Sequence, residues 1–213
     1  MDETRQRILE SAGKCFAAKG FASTTVREVC AAAGVNIAAI NYHFGDKRRL
    51  YAEAVKQAHG HRGKMPQFAW DQATSAERKL EDFVRGMMTM MLDEREPGWH
   101  VELLMREMAH PSDACVELVR SFVGPIFDTL MSIVGELLPA EVPLLRRHLH
   151  AFSVIAQCLL YRYHRPVARL LVGEDEYRAI FDVELLTGHI TRTSLAAMRS
   201  VAAAAGGRED GTV

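Results

Sequence analysis

Residues 25–47, TVREVCAAAGVNIAAINYHFGDK, constrain the fold of this chain more than any other stretch. Thr25 and Glu28 make a T-x-x-E capping box, the signature of a helix start. Val29 and Ala33, four apart, give that helix an inward face. Gly34 supplies the turn at its C-terminal end, where a left-handed backbone is cheap only for glycine. Asn36 caps a second helix over 37–44. Gly45-Asp46 breaks the chain and recaps it, so Lys47-Arg48-Arg49 falls on the first turn of a longer helix. Two short helices joined by a glycine turn have the geometry that lays the second in a DNA major groove.

The charge distribution agrees with that geometry. The formal net charge is only −1 over 213 residues. Residues 1–64 nevertheless hold 11 Lys/Arg against 6 Asp/Glu, and the remainder holds 15 against 21. A basic end on an acidic body suits a polyanionic partner at one end.

The chain reads as helices throughout, with no strand pattern and no internal repeat. A first helix over 3–19 carries Ile8, Leu9, Ala12, Cys15 and Phe16 on one face, and Gly20 ends it. A fourth helix runs from Asp46 to near His59. The segment HGHRGKMPQ reads as a link to a helical body. There Thr74 and Glu77 suggest another capping box. Leu80, Phe83, Val84, Met87, Met88, Met91 and Leu92 follow the spacing of a buried stripe. Helices follow over 99–109, 112–138 with a kink or split at Gly124-Pro125, 144–164 and 176–203. Residues 165–175, with Pro166 and Gly173, read as a connection with room for a short helix. The tail GGREDGTV reads as disordered.

The polar, acid-bearing start MDETRQR shows no secretory leader, and no apolar run is long enough for a membrane span. A cytoplasmic chain is expected. The widely spaced Cys15, Cys30, Cys115 and Cys158 read as reduced, packed thiols.

The head resembles the TetR family of transcriptional regulators. The likeness runs over about residues 5–55, through F-A-S-T-T-V-R-E-V, A-A-G-V-N, I-N-Y-H-F and D-K-R-R-L-Y in order. The back half is similar to the CecR-type subgroup at R-E-M-A-H-P (106–111) and S-V-I-A-Q-C-L-L-Y-R-Y-H-R-P (153–166). The resemblance implies an all-α protein. It would have a three-helix helix-turn-helix DNA-binding domain over 1–60, a larger helical effector-binding and dimerisation domain over 61–205 (about nine helices) and a tail over 206–213.

The resemblance also assigns roles. Thr25 would bond a phosphate at the start of the second helix. Tyr42 and Lys47 would be phosphate contacts. Asn36, Ile37, Ala38, Ala39, Asn41 and His43 would face base edges or the adjoining backbone, with Ile40 and Phe44 in the core. This recognition helix departs from the common pattern in having no Arg or Lys between Asn36 and Phe44. Arg and Lys make the commonest contacts to guanine, whereas asparagine pairs with adenine and apolar groups touch thymine methyls. The expected readout therefore leans on A·T pairs, with affinity drawn largely from phosphates.

A homodimer is expected, because one head reads only a few base pairs. Its contacts are expected from helix 144–164 (Phe152, Ile155, Ala156, Leu159, Leu160) and the last helix (Ile190, Ser194, Ala197, Val201). The same residues would serve equally as the core of one chain. The resemblance implies a pocket for a small effector, with Trp99, His100, Arg106, Gln157 and Tyr161 as candidate lining. An unpaired, buried Arg106 would favour an anionic or carbonyl-bearing effector. Met87, Met88, Met90, Met91, Met105 and Met108 would make an adaptable wall or plain core filler.

No catalytic constellation, metal-ligand cluster or cofactor motif is visible. His59/His61 and His148/His150 are two apart, on different helix faces. The reading is a ligand-released repressor bound to a palindromic operator in double-stranded DNA. An activator or a partner-controlled regulator, and a helical enzyme or carrier, are the alternatives.

Overall fold

The computed structural model describes residues 2–61, 68–93, 98–112, 116 and 119–206. Among them lie eleven α-helices and no strand. They are α1 (Glu3–Ser23), α2 (Val26–Ala33), α3 (Ile37–Phe44), α4 (Lys47–His61), α5 (Ala76–Leu92) and α6 (Trp99–Ala109). Then come α7 (Gly124–Leu137), α8 (Leu144–Tyr163), α9 (Arg165–Val172), α10 (Glu174–Ile180) and α11 (Val183–Gly206). Most of the expected link and all but the first residue of the expected tail lie outside the described residues.

The chain folds into two compact units. One is Met1–Lys64 with Arg95–Pro125, and the other is Met65–Glu94 with Ile126–Val213. A boundary at 60/61 assigns α6 to the body, but α6 packs on α1 and α4. The reason lies in its side chains. A Cβ on Gly13 of α1 would come within 2.3 Å of the Trp99 ring, so only glycine leaves that notch open. Arg106 donates to the carbonyls of Ala17 and Ala18, both at 3.1 Å, near the end of α1. Gly20, with a φ of 78°, kinks α1 just before its end at Ser23. Buried Glu107 accepts a short hydrogen bond from the Tyr51 hydroxyl of α4. It accepts two more, both 2.6 Å, from the N–H and hydroxyl of Ser112. Burial, and then the Glu107 carboxylate, push the Tyr51 phenol above its ordinary range.

The core of this unit is Ile8, Ala12 and Phe16 of α1, Val29 of α2, Ile40 and Phe44 of α3, and Leu50, Ala54 and Val55 of α4. Phe16 meets the Tyr51 ring edge-on at 4.9 Å. Each large apolar side chain removed from water contributes roughly 1.5–3 kcal/mol.

In the second unit α5 packs against α8 and α11. Leu80, Phe83, Val84, Met87, Met88 and Met91 are all buried along α5, and Leu92 is half-buried. Met87, Met88 and Met91 are thus packed side chains, while Met108 in the first unit is exposed. The α5 cap falls on Ser75, which accepts from the Arg78 N–H at 3.2 Å. Thr74 instead closes a turn with Asp71. Wide π-type turns over Val119–Val123 precede α7. Pro125 has no N–H to give and its ring crowds the preceding turn.

One short helix, α9, fills most of the expected connection, and a second, α10, takes up the start of the stretch expected to open the last helix. Phe181, stacked on Tyr177 at 4.2 Å, stands at the end of α10. Asp182 opens α11 by accepting from the Leu185 N–H at 2.8 Å. Ile190 and Ser194 of α11 are buried inside the chain itself, so they do not form an outer contact face. On α8 Phe152, Ala156 and Leu160 are exposed, while Ile155 and Leu159 are half-buried. No described helix is long and apolar enough to cross a membrane.

Candidate nucleic-acid interface

The helix-turn-helix is fixed by three caps. At α2 the Glu28 carboxylate accepts from the Thr25 N–H at 2.7 Å and from its hydroxyl at 3.0 Å. The Glu28 N–H donates back to Thr25 Oγ1 at 3.2 Å. Lys19, at 2.6 Å from Glu28, completes the cluster. Bonds from Lys19 first, then from the Thr25 N–H and hydroxyl, hold the Glu28 carboxyl down to about 2.

At Gly34 the backbone is left-handed, φ 63° and ψ 40°. A Cβ there would meet nothing within 4 Å, so backbone conformation alone selects glycine. Asn36 caps α3 by accepting from the Ala39 N–H at 2.9 Å. Asp46 caps α4 by accepting from the Arg49 N–H at 2.8 Å.

These caps divide α3 into two faces. Ile40 and Phe44 are buried in the head. Asn36, Ile37, Ala38, Asn41 and Tyr42 are exposed, Tyr42 at 85%, and Ala39 is half-buried. His43 is turned elsewhere: its side chain is only 11% exposed and its Nε2 lies 3.5 Å from Asp2. The outward face carries no charged residue.

The flanking helices α2 and α4 carry the cations. Lys47 sits on the first turn of α4 with its Nζ 4.4 Å over the Phe21 ring and 3.4 Å from the Ala22 carbonyl. Arg27, Arg48 and Arg49 are exposed on α2 and α4. Thr25 is exposed, with hydroxyl and N–H engaged in the α2 cap, so a phosphate there would compete with Glu28. Sequence reasoning missed Arg27, Asp2 and the Phe21 seat under Lys47. The exposed side of α2 could have been read from its period. The Phe21 seat depends on the Gly20 break.

The five candidate effector residues fall in two groups. Trp99, His100 and Arg106 belong to the first unit. Trp99 donates to Glu10 at 2.8 Å and stacks on His100 at 3.9 Å, and Arg106 is bonded to α1. Gln157 and Tyr161 belong to the second unit. Gln157 Nε2 donates to the Ser153 carbonyl at 3.2 Å and lies 3.5 Å from Ser194 Oγ. Tyr161 meets Phe181 edge-on at 5.6 Å. Among the described residues no group of three His, Cys, Asp or Glu could hold a metal ion.

Residues 8–54 match the family model for bacterial regulatory proteins of the tetR family. Residues 76–198 match that of the C-terminal domain of the HTH-type transcriptional dual regulator CecR. The chain belongs to the TetR family. As a member it is a transcriptional regulator and not an enzyme.

This TetR-family chain is 34% identical over 85 residues to the HTH-type transcriptional repressor AcnR of Corynebacterium efficiens. The match spans 40% of this chain and only 40% of that relative's length. It is 25% identical over 205 residues to the HTH-type transcriptional dual regulator CecR of Shigella flexneri, covering 89% of this chain and 90% of CecR. A TetR-like transcriptional regulator from Rhodococcus sp. RHA1 shares the fold at a TM-score of 0.62 and 15% identity, over 92% of this chain and 96% of its own. AibR, solved with isovaleryl coenzyme A and operator DNA, shares it at 0.60 and 16% identity, over 92% and 98%.

Proposed function

We propose that this regulator is a homodimer that represses by occupying a palindromic operator and leaves it when a small effector binds the helical body. The observation that carries the reading is the two-faced α3. Its apolar anchors Ile40 and Phe44 are buried while Ile37, Ala38, Asn41 and Tyr42 stand open, and Lys47 and Arg49 follow on the first turn of α4. A helix so anchored suits a major groove, with Tyr42, Lys47 and Thr25 gripping phosphates.

The division of labour is part of the proposal. Residues 1–60 bind DNA and 61–205 carry the effector and dimer surfaces, with α6 packed on the DNA-binding helices. Leu145, Leu149, Phe152, Ala156 and Leu160 repeat every three or four residues along α8 and are exposed, which suits a helix-on-helix dimer contact. A dimer would set the two heads one helical turn apart, about 34–36 Å. The effector shifts the equilibrium only through unequal affinity for the two conformations. AibR, a relative in fold, was solved with both an acyl-coenzyme A and operator DNA. Arg106, bonded to α1, gives no ground for choosing an anionic effector. A second reading, activation at some promoters, is favoured by the match to the C-terminal domain of a dual regulator.

A gel shift on the DNA flanking the chain's own gene tests the proposal. Salt-sensitive binding by the wild type, weakened in Tyr42→Ala and Lys47→Ala, is expected. Equal binding by all three proteins would overturn the interface.

A further inference from the structure

Thr187, Thr191 and Ser194 share the inward face of α11, at 1%, 7% and 5% exposure. Ser194 has Gln157 of α8 at 3.5 Å. The hydroxyls of Thr187 and Thr191 have no hydrogen-bond partner among the described residues. Other helical hydroxyls in this unit do find one. Thr193 donates to the His189 carbonyl at 2.9 Å and Ser153 to the Leu149 carbonyl at 2.8 Å. That local bond is the ordinary resort of a helical hydroxyl. Two neighbouring hydroxyls that forgo it, both buried, leave a polar spot the chain itself does not satisfy.

The surroundings define what would satisfy it. The ion pairs Arg85–Glu184 and Glu77–Arg199 set α5 antiparallel to α11, so the two threonines lie opposite the Leu80–Val84 stretch. Leu80 and Val84 are buried and apolar, as are Val154 and Cys158 on α8. Burial pushes the Cys158 thiol up to about 12. No buried residue of α5, α8 or α11 is charged.

Residues four apart on a helix rise roughly 6 Å. One oxygen midway between their hydroxyls would then lie about 3 Å from each, within hydrogen-bond range. We infer that the seam between α11, α5 and α8 binds the effector by one uncharged oxygen held between Thr187 and Thr191. The effector is accordingly a neutral, largely hydrocarbon carbonyl compound or alcohol. Arg85, one residue past Val84, is already held by Glu81, Asp82 and Glu184, so a carboxylate or phosphate would pay its desolvation cost without a free cation to offset it. This deepens the ligand-released reading above and rests on it.

The test uses the full-length protein with three probes: 2-heptanone, cyclohexanol and 4-ethylphenol. Each is paired with its hydrocarbon counterpart, and heptanoate and 4-ethylbenzoate serve as the charged controls. Thermal melting and operator release are both read. At least one neutral oxygenated probe should raise the melting midpoint and release the operator, with its hydrocarbon and the carboxylates weaker. The Thr187→Val/Thr191→Val double variant replaces each hydroxyl by a methyl of similar shape. It should fold at or above the wild-type midpoint, bind operator normally and lose roughly tenfold in probe affinity. Thr193→Val, on the outer face, should respond like wild type.

No response to any neutral probe, an undiminished response in the double variant, or a crystal structure with a lone water between the hydroxyls would each overturn the inference. Operator release that persists in the double variant would leave the ligand-released reading standing while removing this site.

Discussion

Tyr42 is the residue where exposure and packing part most clearly. At 85% exposure it contributes little to the fold. Tyr42→Ala should leave the unfolding free energy within about 0.5 kcal/mol of wild type in urea, while operator affinity falls. Lys47 differs, because its Nζ also rests over Phe21. Lys47→Ala should lower the slope of log affinity against log salt by about 1. Tyr51 is the opposite case, buried and donating to Glu107. Tyr51→Phe leaves a buried carboxylate with one donor fewer and should cost about 1–3 kcal/mol by chemical denaturation.

Individual roles were partly legible in the chain. The Ile40 and Phe44 anchors follow from helical period alone. The turning of His43 toward Asp2 did not, since it depends on where α1 begins relative to α3. Thr187 and Thr191 escaped notice because a threonine in an apolar stripe looks the same whether or not its hydroxyl is paired.

At the scale of elements, local rules served well where local chemistry decides. The Thr25–Glu28 box, the Gly34 turn and the Asn36 cap all depend on contacts within five residues. The box also makes α2 acid-sensitive. Its Glu28 carboxyl titrates at about 2 in the fold, against an ordinary value near 4.5. A depressed folded value means the contribution is complete above about pH 4.5 and is lost as pH falls toward 2. The stability gap between wild type and Glu28→Gln should therefore narrow between pH 5 and pH 2.5 in parallel urea melts.

Elsewhere neighbours outvoted the pattern. The α5 start slid to Ser75 because Asp71 captures Thr74. The last helix begins at Val183 rather than 176, after Tyr177 and Phe181 stack and Asp182 caps anew. The allotment of α6 depended on Gly13 and the α1 carbonyls, which no reading of 99–109 alone reveals.

At the scale of the molecule, the family assignment joins a DNA-binding head to a helical body. The fold class was legible because every apolar stripe has a period near 3.6. Which stripe would meet a second copy in the proposed dimer was not, because a period marks a buried face without naming what buries it. Ile190 and Ser194 proved to be covered by their own chain, and the α8 row of Leu145, Leu149, Phe152 and Leu160 is the exposed one. Phe152→Glu should shift the protein toward monomer in sedimentation analysis without unfolding it. Gly34→Ala should weaken DNA binding and stability together, since it strains the left-handed turn.

The account rests on an uncharged α3 face that reads DNA as one of a pair. Selection of bound duplexes from a random pool tests it most directly. The predicted product has two inverted half-sites centred about one helical turn apart, with A·T pairs under Ile37, Ala38 and Asn41. Half-sites dominated by G·C contacts at those positions, or no enrichment of a paired site, would contradict it.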